Sequence, residues 1–173
     1  MRKETISSSA KKTESLGKEF AKEILRMEIE EKARVISLEG ELGGGKTTFV
    51  KGFARGLGIK EMIKSPTFVI MKKYKLKASS KPASSVGGQA IKSCKSSVGS
   101  RNFKYFYHVD CYRIENPKEI SNLTWKEIVK NPQNIIAVEW GEKIKEILPE
   151  KYFQIAFEFI NKNTRKLTFK IHD

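Results

Sequence analysis

The chain has 173 residues, 39% of them hydrophobic and 10% aromatic, a size and composition suited to one domain with a buried core. Two cysteines, Cys94 and Cys111, do not make a disulfide framework or a zinc site; no run nears the roughly 18 apolar residues of a membrane span, and the polar opening MRKETISSSAKKTES is unlike a secretory signal, so a soluble cytoplasmic protein is expected. The formal net charge is +14, but residues 77–102 alone hold Lys77, Lys81, Lys92, Lys95 and Arg101 with no acid, so the excess reads as solvated surface before it reads as attraction to RNA or an acidic protein.

Residues 1–12 are polar and read as a loose tail. A helix is expected from Thr13: Thr13 can cap, Glu14 suits the first turn, and Leu16, Phe20 and Ile24 recur every fourth residue. Val35 to Leu38 is a short β-rich run that leads directly into a glycine-rich loop. Beyond the loop, Phe49, Phe53 and Leu57 mark one face of a second helix, with Gly58 placed as its C-terminal glycine. Ser65-Pro66-Thr67 breaks the chain before a strand from Phe68 to Leu76, and a second strand alternates through Phe103, Tyr105, Tyr107 and Val109. Between them residues 77–102 hold eight serines and three glycines, too little apolar surface to offset the entropy of ordering, and read as a flexible extension of a hairpin.

Pro117 can open a short helix, and Thr124 to Lys130 reads as another. Ile135 to Val138 is a continuous apolar run, as in a strand buried on both faces. A helix from Glu142 to Leu148 is stopped by Pro149. Two last strands, Tyr152 to Ile160 and Arg165 to Ile171, are joined by the turn-prone Asn161-Lys162-Asn163. Strands alternating with helices predict an α/β sandwich of three layers, with a largely parallel central sheet and antiparallel hairpin strands.

Gly40-Glu41-Leu42-Gly43-Gly44-Gly45-Lys46-Thr47 fits G-x-x-x-x-G-K-[ST] at every fixed position. The glycines let backbone N–H groups approach phosphate oxygens, and the helix that begins near Lys46 points its positive end at the same anion. Lys46 is expected to reach the β- and γ-phosphates of ATP, Thr47 to ligate Mg²⁺ and Thr48 to hold the α-phosphate. The preceding strand and following amphipathic helix are the context that gives the motif its meaning. No base-reading N-K-x-D pattern of GTP-binding proteins occurs.

A phosphate loop also needs a carboxylate at the end of a neighbouring buried strand. Glu139 ends the most apolar run and is the favoured Mg²⁺ ligand, direct or through water; Asp110 then becomes the candidate for orienting the attacking water. His108 precedes Asp110 by two, so both face the same way on a strand, and its imidazole can be catalytic or a structural hydrogen-bonding group. Arg113 can pair with Asp110 or with a phosphate. Trp140 reads as packing more than as an adenine contact. Thr67, behind a proline-stiffened turn, can be a phosphate-sensing switch or a simple entry to a strand.

GELGGGKTT, SPTF, YHVDCYRI and VEW, in that order, resemble the TsaE (YjeE) family, over roughly residues 13–171. The residues at 118–120 and the ILPE stretch from Ile147 to Glu150 are similar too. The resemblance implies a P-loop ATPase that serves tRNA threonylcarbamoyladenosine formation alongside a TsaB–TsaD pair, with tRNA met through that complex. It implies that Lys46 and Thr47 hold ATP and Mg²⁺, that Gly43, Gly44, Gly45 and Thr48 complete the phosphate loop, and that Thr67 lies in a switch-like loop. It further implies that Asp110 and Glu139 are the essential carboxylates and that Thr13 approaches the adenine. Gly44 stands where alanine is more usual, and the 77–102 insertion departs from the family near the hairpin. The competing readings are a P-loop small-molecule kinase, for which an insertion with one arginine makes a poor lid, and a nucleotide-dependent RNA-binding module, which lacks an aromatic–basic recognition motif.

Overall fold

The structure is a computed structural model that describes residues 2–63, 70–77, 103–121 and 124–173. The expected switch residue Thr67, with its Ser65-Pro66 turn, and nearly all of the 77–102 insertion lie outside the described residues. Seven strands form one sheet: β1 (Arg2–Ser7), β2 (Arg34–Gly40), β3 (Met71–Lys75), β4 (Tyr105–Asp110), β5 (Asn134–Glu139), β6 (Tyr152–Phe159) and β7 (Arg165–His172). Their order is β1-β7-β6-β2-β5-β4-β3. The central four, β6, β2, β5 and β4, run parallel, and antiparallel β7, β1 and β3 close the two sides.

Side chains alternate along these strands, so each face carries its own apolar layer. One face, with Ile36, Leu38, Phe106, Ile135 and Ile155, packs against α1 (Ala10–Ile24) and α2 (Lys46–Gly56). The Phe20 ring sits 5.6 to 6.1 Å from the rings of Phe49, Phe53, Phe153 and Phe169, joining both helices to the sheet. The other face, with Val35, Tyr107, Val109, Ile136 and Val138, packs against α3 (Lys118–Ser121), α4 (Trp125–Lys130) and a 3₁₀ helix, Gly141–Ile147. Trp125 Nε1 donates to Ile147 O at 2.9 Å and ties those last two together. This is the expected three-layer arrangement, and all of β5 is buried, as its unbroken apolar run predicts.

The N-terminal segment differs from expectation. Residues 2–7 are not a loose tail but an edge strand laddered to β7, from Arg2↔Lys170 to Ser7↔Arg165. Most of β1 is exposed, so backbone pairing rather than apolar patterning holds it, and no sequence alternation announces it. Thr13 is not the cap of α1 either. Ser9 is, its Oγ accepting from Lys12 N at 3.1 Å, and Thr13 lies one turn inside, buried. The segment expected as a helix from Glu142 is the tighter 3₁₀ form. The end of α2 follows expectation: Gly58 is left-handed at φ +86°, and Gly58 N and Ile59 N return to Arg55 O and Ala54 O, which satisfies carbonyls the helix leaves open.

Candidate functional site

The parallel strands β2, β4 and β5 deliver their C-terminal ends to one edge of the sheet, where α/β folds place ligands. Gly40 ends β2 at φ +124°, and a Cβ there would overlap the Phe157 carbonyl. Gly45, at φ +100°, is the N-cap of α2 and provides no side-chain cap. The first-turn N–H groups of α2 therefore have no capping oxygen, and the positive end of the helix faces the loop. Thr47 Oγ1 donates to Glu139 Oε2 at 2.7 Å. Glu139 Oε1 lies 2.8 Å from His108 Nε2.

Lys46 is only 5% exposed. Its Nζ donates to Gly40 O at 2.5 Å and Glu41 O at 2.8 Å, and sits 3.7 Å from the Trp140 ring centre, a cation–π contact. Burial lowers its pKa, against the pull of Glu139, Glu142 and Asp110. Burial likewise raises the pKa of Glu142. Trp140 has φ +61°, a left-handed conformation that costs a bulky residue on the order of 1–2 kcal/mol. Its ring packs 5.2 Å from Tyr112, and Tyr112 N donates to Asp110 Oδ1 at 3.0 Å.

Together these groups line a cavity of about 380 Å³: Leu42 to Thr48, with Asp110, Tyr112, Glu139 and Trp140. Gly43, Gly44, Gly45, Lys46, Thr47 and Thr48 are on it, Gly40 and Glu41 are not, and Asp110 and Glu139 sit opposite each other in register on adjacent strands. A smaller cavity of about 140 Å³ adjoins, sharing Gly43, Gly45 and Thr48 and adding Ala10, Thr13, Lys162, Asn163 and Arg165. Thr13 is thus beside the phosphate loop, but its hydroxyl engages Ser7 Oγ at 2.7 Å, which leaves its methyl group toward Gly45. Arg113 is exposed and is not part of either lining. Another cavity, of about 370 Å³ between α1 and the β1–β7–β6 edge, has none of the phosphate-loop residues.

Sequence reasoning missed Tyr112 and Arg165. Arg165 Nη2 reaches Gly43 O at 3.4 Å from a strand 122 residues away. Its only sequence signal is the Asn161-Lys162-Asn163 turn that carries it there. Among the described residues no three His, Cys, Asp or Glu side chains are grouped to hold a metal. Thr47, Glu139 and Asp110 provide a partial set of hard oxygen donors, which fits Mg²⁺, an ion that keeps waters and shares its shell with phosphates.

Comparison with known proteins agrees with this geometry. The sequence model of the TsaE family, threonylcarbamoyl adenosine biosynthesis protein TsaE, matches residues 7–85 and 91–167. The tRNA threonylcarbamoyladenosine biosynthesis protein TsaE of Bacillus subtilis is 35% identical over 135 residues, 78% of this chain and 68% of that protein. Its counterpart in Haemophilus influenzae is 31% identical, over 83% of this chain and 73% of that one. The crystal structure of Bacillus subtilis YdiB superposes with a TM-score of 0.65 at 26% identity, covering 99% of this chain and 86% of the other. A P-loop fold, the motif-bearing strands and matches over most of the length converge: the chain belongs to the TsaE family of tRNA threonylcarbamoyladenosine biosynthesis.

Proposed function

We propose that the chain is the ATP-binding, Mg²⁺-dependent ATPase of a threonylcarbamoyladenosine machinery, and that its turnover supports a TsaB–TsaD pair acting on tRNA. The observation that carries the nucleotide reading is the Thr47–Glu139 hydrogen bond, which joins the first turn of α2 to the end of a buried strand at the mouth of the glycine loop. That pairing of a hydroxyl with a strand-end carboxylate is how P-loop proteins prepare a metal–phosphate site. Family membership supports the assigned pathway.

Backbone N–H groups of Gly43 to Thr48 surround the phosphates in this reading, and Lys46 exchanges the Gly40 and Glu41 carbonyls for β- and γ-phosphate oxygens. Thr47 and Glu139 hold Mg²⁺, which neutralises charge that develops on the phosphates. Asp110, buried beside Glu139, orients water for attack on the γ-phosphate. Thr13 and Arg165 flank the neighbouring recess, which is placed to receive the nucleoside end.

The test is ATP hydrolysis by the purified chain, alone and with a bacterial TsaB–TsaD pair, with and without tRNA. Stimulation by the pair that vanishes in Lys46→Ala is the expected result. Glu139→Ala should still bind ATP and lose most turnover. Tight binding without stimulation by any component would retain the site and remove the partner assignment.

A further inference from the structure

His108 is fully buried on β4, and its two ring nitrogens meet different surroundings. Nε2 lies 2.8 Å from Glu139 Oε1. Nδ1 has no hydrogen-bond partner among the described residues. A proton on Nε2 is donated to the carboxylate, whereas a ring with its proton on Nδ1 would leave a buried donor without an acceptor among the described residues.

The effect reaches Thr47. With Oε1 occupied by His108, Glu139 presents Oε2 to the Thr47 hydroxyl at 2.7 Å. The single Thr47 proton is committed to that bond, so the remaining lone pairs of Oγ1 are free for a cation. The chain Nε2–H to Oε1, then Oε2 to Hγ1, thus fixes both ends of the carboxylate.

We propose that His108 is a positioning residue, whose Nε2–H clamps Glu139 so that the carboxylate aligns the Thr47 hydroxyl for the divalent cation of a bound nucleotide. The inference rests on the ATP–Mg²⁺ reading above. The sequence leaves His108 open between a catalytic and a structural hydrogen-bonding role beside Asp110; its hydrogen bond goes to Glu139 on the next strand. A packing histidine would tolerate any amide of similar bulk; a clamp needs a donor at the Nε2 position. Glutamine places its amide nitrogen near there, whereas asparagine reaches only as far as Nδ1.

The experiment is Mg²⁺ titration of the ADP-bound full chain by calorimetry, with ADP affinity in the absence of metal measured alongside. His108→Asn should weaken Mg²⁺ about 10- to 100-fold, the usual effect of removing a partner that orients a metal ligand, and leave metal-free ADP affinity unchanged. His108→Gln should recover most of the loss. Wild-type Mg²⁺ affinity in the asparagine variant overturns the clamp, and so does a loss in both variants that is matched by equal loss of metal-free ADP binding. ADP binding by the wild type with no response to Mg²⁺ overturns the parent reading, and is seen before any variant is made. Proton–nitrogen correlation spectra of the wild type should place the ring proton on Nε2; a proton on Nδ1 overturns the clamp even if the asparagine variant does not fold.

Discussion

Lys46 carries an ammonium into a place that water scarcely reaches, and three neighbours compensate: two loop carbonyls and the Trp140 ring. Burial still lowers its pKa from 10.5, opposed by Glu139, Glu142 and Asp110. A neutral fraction therefore appears as pH rises through the lowered value, before a free lysine would lose its proton. Polyphosphate beside Nζ favours the charged form. ATP binding in alkaline buffer should thus take up protons, while binding at neutral pH should take up none at this group. Calorimetry in buffers of different ionisation enthalpy measures this directly, and buffer-independent heats throughout would contradict it. At this scale the sequence was informative where residues of one motif are contiguous, as from Gly40 to Thr48. It was silent on Arg165, because a hairpin brings that side chain to the loop and no local spacing encodes the meeting.

At the scale of elements, α1 and α2 approach so closely that glycine is required at their contact. A Cβ on Gly52 would overlap the Glu14 carbonyl, and one on Gly17 would overlap the Phe49 carbonyl. Both obstacles are backbone, which cannot swing aside. Gly52→Ala should gain about 1 kcal/mol of intrinsic helix propensity yet lose at least about 1–3 kcal/mol to overpacking, so denaturant unfolding should show a net loss. An unchanged midpoint would mean that the helices slide apart without cost. Because α2 begins at Lys46 and Thr47, such a shift would also weaken nucleotide binding. The helix itself was legible from Phe49, Phe53 and Leu57, whereas its glycine contacts were not, since periodicity reports a face and not what it touches. β1 was missed for a related reason: an edge strand held by its ladder needs little apolar alternation.

Across the whole molecule, Glu30 fastens distant parts of the chain. It pairs with Arg34 at the start of β2, at 2.5 Å, and with Lys151 ahead of β6, at 2.9 Å. Burial pushes its carboxyl up, but the hydrogen bonds and charges of Lys151 and Arg34 outweigh this and leave it below 4.5. A depressed carboxylate contributes stability that is present above its unfolded pKa and is lost as pH falls through the folded one. Glu30→Gln should therefore lower stability near neutrality and flatten the loss in acid, by less than about 1 kcal/mol because the site is part exposed. Thermal unfolding as a function of pH checks both limbs, and parallel curves would show that the pairs contribute nothing. Among the described residues no helix is long and apolar enough to cross a membrane. The fold class was legible from alternating strands and helices; the place of β7 and β1 beside β6 was not, because topology is a property of the assembled sheet. One further consequence belongs to Cys111, which follows Asp110 in the chain and is buried in the apolar layer under α3, α4 and the 3₁₀ helix, with its thiol pushed up to about 12. A thiol in that position is almost wholly protonated and shielded, hence slow to alkylate. In a protein whose Cys94 has been replaced, its labelling rate becomes a stopwatch for how often this apolar layer opens, and a bound nucleotide that holds the adjoining Asp110 in place should slow that clock.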